Sequence, residues 1–301
     1  FSRFQHHVAI SDSALDVLRN VYFLTTERTH CIYNGVDLTR FSPQLPGAGT
    51  GTGGGAGGVG FRRVLGIPDN AFVAGVGGKL VEPKGFQQVL DVLRAGVLDA
   101  VGHRSGGTYL VAAGVGEYCG LLAELNHSRV MCVGRLDQNG MADFYRSIDV
   151  FINPTTYHQG LDLVMMEAMA SGVPIIASNT GSISRTLLVP TLTPGSKDPV
   201  AGGFTFTLAN RAEFRAVWHR MLLMPQEDLV RMGKAARERS RSLFSDHAMA
   251  LQYQNLFCQV VATAFDQMTN LNPSPPNQGP STPRFRSKDR GTDFKTDFNS
   301  F

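Results

Sequence analysis

The sequence predicts an α/β fold built on a doubly wound parallel sheet. Short apolar runs alternate with helical patterns from about position 71 to position 181, and glycine-containing turns separate many of them. Strands that are apolar throughout are buried on both faces, which requires helices on both sides of a parallel sheet. The 301 residues leave room for about two ordinary domains.

The predicted elements follow in a regular order. Two short strands, 7–10 and 31–33, flank a helix over 14–20 that is capped by Ser11-Asp12-Ser13. Strands and helices then alternate as strand 71–76, helix 85–98, strand 108–113, helix 117–125, strand 130–133, helix 140–147, strand 150–153, helix 161–171 and strand 174–177. After Gly181 the pattern weakens and predicts a strand over 202–207 and helices over 211–223, 226–243 and 246–268.

A glycine-rich block interrupts this order near the N-terminus. Of the 33 glycines, nine fall between Gly47 and Gly60, and three of them literally satisfy the dinucleotide motif G-x-G-x-x-G. That motif needs a buried strand before it and a helix after it, whereas Pro43 and Pro46 precede this block. We therefore expect a flexible insertion in a linker, and likewise a disordered tail over 272–301, where proline and mixed charge dominate.

Composition excludes several classes of protein. The net charge is +3, of which the tail carries +2, so the body offers no electrostatic case for nucleic-acid binding. No apolar run approaches the length of a bilayer crossing. The chain begins at Phe1 with no signal segment, and we expect a fragment of a longer protein.

The cysteines and acidic residues set two further expectations. The four cysteines show no C-x-x-C spacing, so buried free thiols in a reducing compartment are expected, at a cytoplasmic location or on a cytosolic membrane face. No D-x-D triplet occurs, so no metal ion is expected in the site.

Polar segments follow three of the predicted strands, at the sheet edge where open α/β folds bind ligands. The first, 77–85, carries Lys79 and Lys84, which suit an anion, although solvated lysines are an equal alternative on this ground alone. The second, 154–168, ends in a helix whose apolar sequence contains Glu167, so this carboxylate requires a partner: a bound pair of hydroxyls, or an internal salt bridge. The third, 172–181, adds a polar turn at the same edge.

The order of several motifs resembles a known family. The matching pieces are Ile10-Ser11-Asp12, 33–43, 79–85, 113–116, 133–136, 159–171 and 173–178. Together they resemble the plant-type branch of the retaining nucleotide-sugar glycosyltransferases of family 4 (group 1), over nearly all of His7 to Phe257. That family has the GT-B fold, in which two Rossmann-like domains face each other.

The resemblance implies that the chain is the C-terminal half of a GT-B fold. Residues 61–245 correspond to the Rossmann-like domain that binds the donor, and 1–33 to a remnant of the N-terminal acceptor domain. A linker over 34–60 joins them. The helix over 246–271 is expected to pack back toward the N-terminal domain.

The resemblance also assigns roles to single residues. Lys79 and Lys84 correspond to the pair that holds the donor diphosphate, and Glu167 accepts hydrogen bonds from the ribose; these three are the implied catalytic residues. Lys79 replaces an arginine and loses its bidentate fork, while Gln159 replaces a glutamate. The full set of implied donor-binding residues is Gly78, Lys79, Lys84, Gly134, Arg135, Leu136, Gln159, Gly160, Leu161, Asp162, Leu163 and Glu167. In this set 134–136 lie beside the base, and the backbone N–H groups of 160–163 face the sugar and phosphates.

The implied reaction is metal-independent transfer of a sugar, with retention, from a UDP- or GDP-linked donor to an unknown acceptor, without a further cofactor. The isolated chain is expected to be inactive. A degenerate nucleotide-sugar-binding or scaffold protein is the main alternative, because of Lys79 and Gln159. An oxidoreductase, suggested by Gly114-x-Gly116, lacks the acidic residue expected about twenty positions later. The arginine-rich helix 226–243 is better explained as a solvated face than as a membrane surface, since acidic residues interleave it.

Overall fold

The computed structural model describes residues 4–43, 58–100, 104–157, 160–187 and 200–271. The chain divides into two compact units, Phe1–Asn255 and Leu256–Phe301. Across those described ranges, no helix combines the length and apolarity needed to cross a membrane. The predictions for most of the glycine-rich block and for the tail fall outside the described residues.

The N-terminal part forms a small sheet with one helix. Strand β1 (His7–Ala9) pairs in parallel with β2 (Thr29–Cys31), and α1 (Asp12–Asn20) connects them. Ser11 caps α1, because its hydroxyl accepts a hydrogen bond from the backbone N–H of Ala14. This short strand–helix–strand arrangement agrees with the sequence prediction, with strand bounds shifted by one or two residues.

Helix α2 (Gly58–Val64) follows and begins inside the stretch that was predicted to be linker up to residue 60. Phe61 explains the difference, since its ring packs edge-on against that of Phe144, with 6.4 Å between centroids. This contact with the core allows a helix to form over the last residues of the glycine-rich block.

The main sheet contains six parallel strands in the order β5-β4-β3-β6-β7-β8. Its strands are β3 (Phe72–Lys79), β4 (Thr108–Val115), β5 (Val130–Gly134), β6 (Val150–Asn153), β7 (Ile175–Ser178) and β8 (Gly203–Phe206). The predicted parallel sheet is confirmed. The strand order reverses between β3 and β6, and open α/β folds bind ligands at the carboxyl ends of the strands at such a point.

Helices cover both faces of this sheet. They are α3 (Phe86–Arg94), α4 (Glu117–Glu124), α5 (Gln138–Ser147), α6 (Leu163–Ala170), α7 (Gly181–Leu187), α8 (Arg211–Leu222) and α9 (Gln226–Leu243). A further helix, α10 (Asp246–Leu271), follows α9 in the chain. The helix predicted over 85–98 ends earlier, because Gly96 adopts a left-handed conformation with φ of +77° and a 3-10 turn over Val97–Asp99 follows. Helix α7 was not predicted, since glycine and serine at its start are weak helix formers.

Two apolar layers fill the space between the sheet and the helices. Val73, Val111 and Phe151 point into one layer, whereas their strand neighbours Ala74 and Ala112 point into the other. This alternation buries both faces of the central strands, as the apolar runs predicted.

The cysteines correct one prediction. Cys119 on α4 and Cys132 on β5 form a disulfide, with their Cα atoms 5.8 Å apart, and the Cys258 thiol is exposed. The expectation of four buried free thiols is wrong, because α4 packs against β5 and brings together two cysteines that are 13 residues apart. The inference of a reducing compartment loses its basis.

Candidate functional site

A cleft of about 600 Å³ opens at the carboxyl ends of β3 and β6, beside the N-terminus of α6. Its walls combine apolar side chains with a few polar ones. The lining residues are Gly77, Gly78, Lys79, Val81, Pro83, Lys84, Phe86, Ile152, Asn153, Pro154, Tyr157, Leu161, Asp162, Leu163 and Val164. The size and the mixed lining are those of a small-molecule site.

Two loops lock together to form one wall of the cleft. The carbonyl oxygen of Pro83 accepts hydrogen bonds from the backbone N–H of Thr156 at 3.2 Å and from the hydroxyl of Thr155 at 3.3 Å. Gly85 has φ of +80°, and a Cβ at this position would stand 1.7 Å from the carbonyl oxygen of Pro154. The loop after β3 can therefore approach the loop after β6 only with glycine at position 85, and this approach positions Lys84.

Lys84 is already ion-paired within the cleft. Its Nζ donates to Oδ1 of Asp162 at 2.6 Å, and Nδ2 of Asn153 donates to Oδ2 of the same carboxylate at 3.2 Å. The side chains of Lys84 and Asp162 are 25% and 19% exposed. Lys79 lies at the end of β3, exposed at the cleft wall.

Glu167 lies on the side of α6 that is turned toward the protein interior. One of its carboxylate oxygens accepts a hydrogen bond at 2.9 Å from the hydroxyl of Tyr145, which is fully buried. Burial raises the pKa of Glu167, and the hydrogen bond from Tyr145 partly opposes this shift. The partner that the sequence required is thus a tyrosine hydroxyl, and the salt bridge considered as an alternative is not the contact seen.

The structure brings together six of the predicted donor-binding residues. Those that line the cleft are Gly78, Lys79, Lys84, Leu161, Asp162 and Leu163. Residues 134–136 lie instead at the end of β5, two strands away from β3, and Gly160 faces the Ser11 hydroxyl at the start of α1. Glu167 is not among the residues that line the cleft, and Gln159 falls outside the described residues.

Sequence reasoning missed three residues of this region: Asn153, Tyr145 and Tyr157. Asn153 had a usable signal, because it is the polar residue that ends an otherwise apolar strand. Tyr145 had none, since its hydroxyl meets Glu167 only through the packing of α5 against α6.

The charges of the cleft suit an anion. The lining contains two lysines and one carboxylate, and the N-terminus of α6 adds the positive end of a helix dipole. A ligand with more than one negative charge would gain most from this arrangement.

Comparison with known proteins finds a family model and relatives that match the region holding the cleft. Residues 71–197 match the family model described as Glycosyl transferases group 1. The matched segment is less than half of the 301 residues. A D-inositol 3-phosphate glycosyltransferase of Xylanimonas cellulosilytica is 28% identical to it over 183 residues, which cover 59% of this chain and 41% of that protein.

Solved structures share the fold of this chain over most of its length. Sucrose-phosphate synthase of Thermosynechococcus elongatus superposes with a TM-score of 0.65 at 23% identity, over 85% of this chain and 58% of that one. Anabaena HepE in complex with UDP gives 0.66 at 18% identity, over 85% and 65%. The predicted fold is confirmed, because these neighbours are GT-B glycosyltransferases. The matches to curated relatives cover between 37% and 57% of the length of those proteins, 41% in the case above.

Proposed function

We propose that this protein is the donor-binding part of a glycosyltransferase that uses a UDP- or GDP-linked sugar. The observation that carries the proposal is the convergence of Lys79, Lys84 and the N-terminus of α6 on one cleft, inside the region that matches the group 1 family model. Anabaena HepE, which shares the fold, has been solved with UDP and with UDP-glucose. A nucleoside diphosphate presents the multiple negative charge that such a cleft favours.

The lysines would act on the leaving group. When the bond between sugar and diphosphate breaks, negative charge grows on the diphosphate oxygen that departs. Positive groups that are already in place stabilise this charge without reorganisation. We propose that Lys79, Lys84 and the α6 N-terminus do this without a metal ion, and that Glu167, held by Tyr145, accepts hydrogen bonds from the ribose.

The remaining features of the reaction follow from the family resemblance. We propose that transfer retains the configuration at the sugar carbon. We also propose that residues 1–301 bind the donor but transfer nothing by themselves, because the family binds its acceptor on a second Rossmann-like domain. The described ranges contain a single six-stranded sheet of that type.

Calorimetric titration tests donor binding. UDP and GDP are titrated into wild type, into Lys84→Met and into Lys234→Met, which removes an exposed lysine of α9 outside the cleft. We expect one of the two nucleotides to bind, with affinity about 10- to 100-fold weaker for Lys84→Met, since a hydrogen bond to a charged group is lost. The Lys234→Met variant should match wild type. Absence of binding to either nucleotide, or equal binding by all three proteins, would contradict the proposal.

A transfer assay tests the second part. The 301-residue protein is incubated with a panel of UDP- and GDP-linked sugars and simple glycoside acceptors, and released nucleotide is measured. We expect no release above background. Turnover would contradict the proposed inactivity of the isolated chain but would not contradict the proposed donor site.

A further inference from the structure

We infer that Asp162 is a built-in competitor of the donor: its carboxylate pairs with Lys84 in the cleft, and the diphosphate of a nucleotide that binds there displaces it. The inference rests on the proposed function and adds a residue that sets donor affinity. The ligand concerned is a nucleoside diphosphate, or the diphosphate part of a nucleotide sugar.

The contacts place the carboxylate where a phosphate would bind. Asp162 Oδ1 accepts from Lys84 Nζ at 2.6 Å, and both side chains line the cleft. The other oxygen, Oδ2, accepts from the amide of Asn153 at 3.2 Å, and this residue also lines the cleft. The Asp162 carboxylate thus binds Lys84, the cation that the proposed function assigns to the diphosphate leaving group.

The position of Asp162 on α6 supports this interpretation. Asp162 is the N-cap residue of α6, where an aspartate side chain usually accepts a hydrogen bond from the first turn of its own helix. Here the side chain makes no such capping hydrogen bond and turns to Lys84 instead. The carboxylate therefore interacts with a residue of the cleft and does not cap its own helix.

The pair can be exchanged at small cost. Both side chains keep contact with water, at 25% and 19% exposure, and an ion pair of this kind contributes little to stability. A diphosphate offers Lys84 more charge and more acceptor oxygens than one carboxylate does. The Asn153 amide gives the displaced carboxylate a hydrogen-bond partner that it already holds.

This competition predicts a gain of affinity on removing the carboxylate. In Asp162→Asn, Lys84 can bind the diphosphate without first breaking an ion pair, and the cleft loses its negative charge. UDP or GDP, whichever binds wild type, should bind Asp162→Asn about fivefold more tightly, the upper end of the range for an ion pair that water can reach. Uridine or guanosine, which lacks phosphate, should bind both proteins equally.

A double-mutant cycle isolates the mechanism. The gain should vanish when Lys84→Met is already present, because the cation that pairs with Asp162 is then absent. Asp228→Asn, which removes an exposed carboxylate of α9 that is paired with Arg231, is the matched control for net charge and should leave affinity unchanged. Asp162→Ser repeats the test without an amide, and thermal unfolding of each variant verifies that it is folded.

Three results would overturn the inference. Folded Asp162→Asn and Asp162→Ser that bind the diphosphate no better than wild type would show that Asp162 does not compete. A gain that persists in the Lys84→Met background would show that it acts elsewhere. If no protein binds either nucleotide, the proposed function fails and the inference fails with it, whereas normal wild-type binding without a gain defeats the inference alone.

Discussion

The two ends of the main sheet both carry an ion-paired aspartate, but in very different surroundings. At the amino end, Asp149 accepts from Arg62 at 2.9 Å and from Arg104 at 2.7 Å, and its side chain is only 10% exposed. At the carboxyl end, Asp162 meets Lys84 beside an open cleft. The cluster around Asp149 stabilises the fold, whereas the pair at Asp162 includes a lysine that a ligand can reach.

The amino-end cluster is built without room for exchange. Oδ2 of Asp149 also accepts from the backbone N–H of Val73 at 2.8 Å, and Arg62 additionally donates to the backbone carbonyl of Ala71. Every oxygen of this carboxylate therefore has a partner in a nearly dry environment. Such clusters are costly to break because the groups that remain stay buried and charged.

The largest effect is expected at Asp149. Asp149→Ala leaves two largely buried guanidinium groups without their carboxylate, so we expect the free energy of unfolding to fall by about 3–5 kcal/mol. Urea denaturation measures it, and Asp228→Ala, which breaks an exposed pair with Arg231, should cost less than about 1 kcal/mol. Similar losses for the two variants would remove the distinction between the ends of the sheet.

A backbone change at the carboxyl end comes next. Gly85→Ala places a methyl group against the carbonyl of Pro154 in a left-handed conformation, and should destabilise by at least about 2 kcal/mol while weakening nucleotide binding. Gly66→Ala is the control, since Gly66 has φ of +68° but nothing within 4 Å of the added carbon. That variant should lose about 1 kcal/mol and bind normally. Normal nucleotide binding by Gly85→Ala would show that the locked loops do not position Lys84.

Glu167 predicts a pH-dependent effect on stability. Burial raises its pKa above the usual 4.5, so its contribution to stability is present below about pH 4.5 and is lost as the pH rises through the raised pKa. Glu167→Gln stays neutral and can still accept the Tyr145 hydrogen bond. Its stability relative to wild type should therefore rise with pH, which urea midpoints at about pH 4.5 and about pH 8 compare.

The cost of that gain should appear in binding, because the variant loses the carboxylate proposed to meet the ribose. Stability curves that run parallel across this pH range would contradict the raised pKa. Unchanged nucleotide affinity would contradict the role of Glu167 toward the ribose.

The smallest effect on stability is expected at Lys84. Lys84→Met breaks a partly exposed ion pair, so the free energy of unfolding should change by less than about 1 kcal/mol even though nucleotide binding falls sharply. Thermal and urea unfolding measure the first quantity. A loss as large as that of Asp149→Ala would make Lys84 part of the framework rather than of the ligand site.

The architecture was largely predictable because it depends on local pattern. Apolar strands such as 150–153 indicate burial on both faces of the sheet. Because such strands run in parallel, their carboxyl ends lie at one edge of the sheet. Lys79 and Lys84 follow one of these ends directly, so their presence in one cleft needed no tertiary information. Helix α7 escaped because its sequence carries few apolar residues and begins with weak helix formers.

The contacts that tune the site were not predictable in the same way. Asp162 was expected to contribute only its backbone, since the direction of its side chain depends on where Lys84 lies after the two loops lock. Tyr145 meets Glu167 through helix packing, and Cys119 meets Cys132 through the return of α4 onto β5. Each is a pairing between elements, which single-sequence periodicity does not encode.

Chemical-shift perturbation on the ¹⁵N-labelled 301-residue protein, titrated with UDP-glucose and with GDP-mannose, compares the two ends most directly. One donor should shift the backbone amides of Gly78, Lys84, Asp162 and Leu163 at the carboxyl end. The amides of Val73 and Asp149 at the amino end should stay in place. Shifts confined to the amino end, or no shifts with either donor, would contradict the assignment of the cleft as the nucleotide-sugar site.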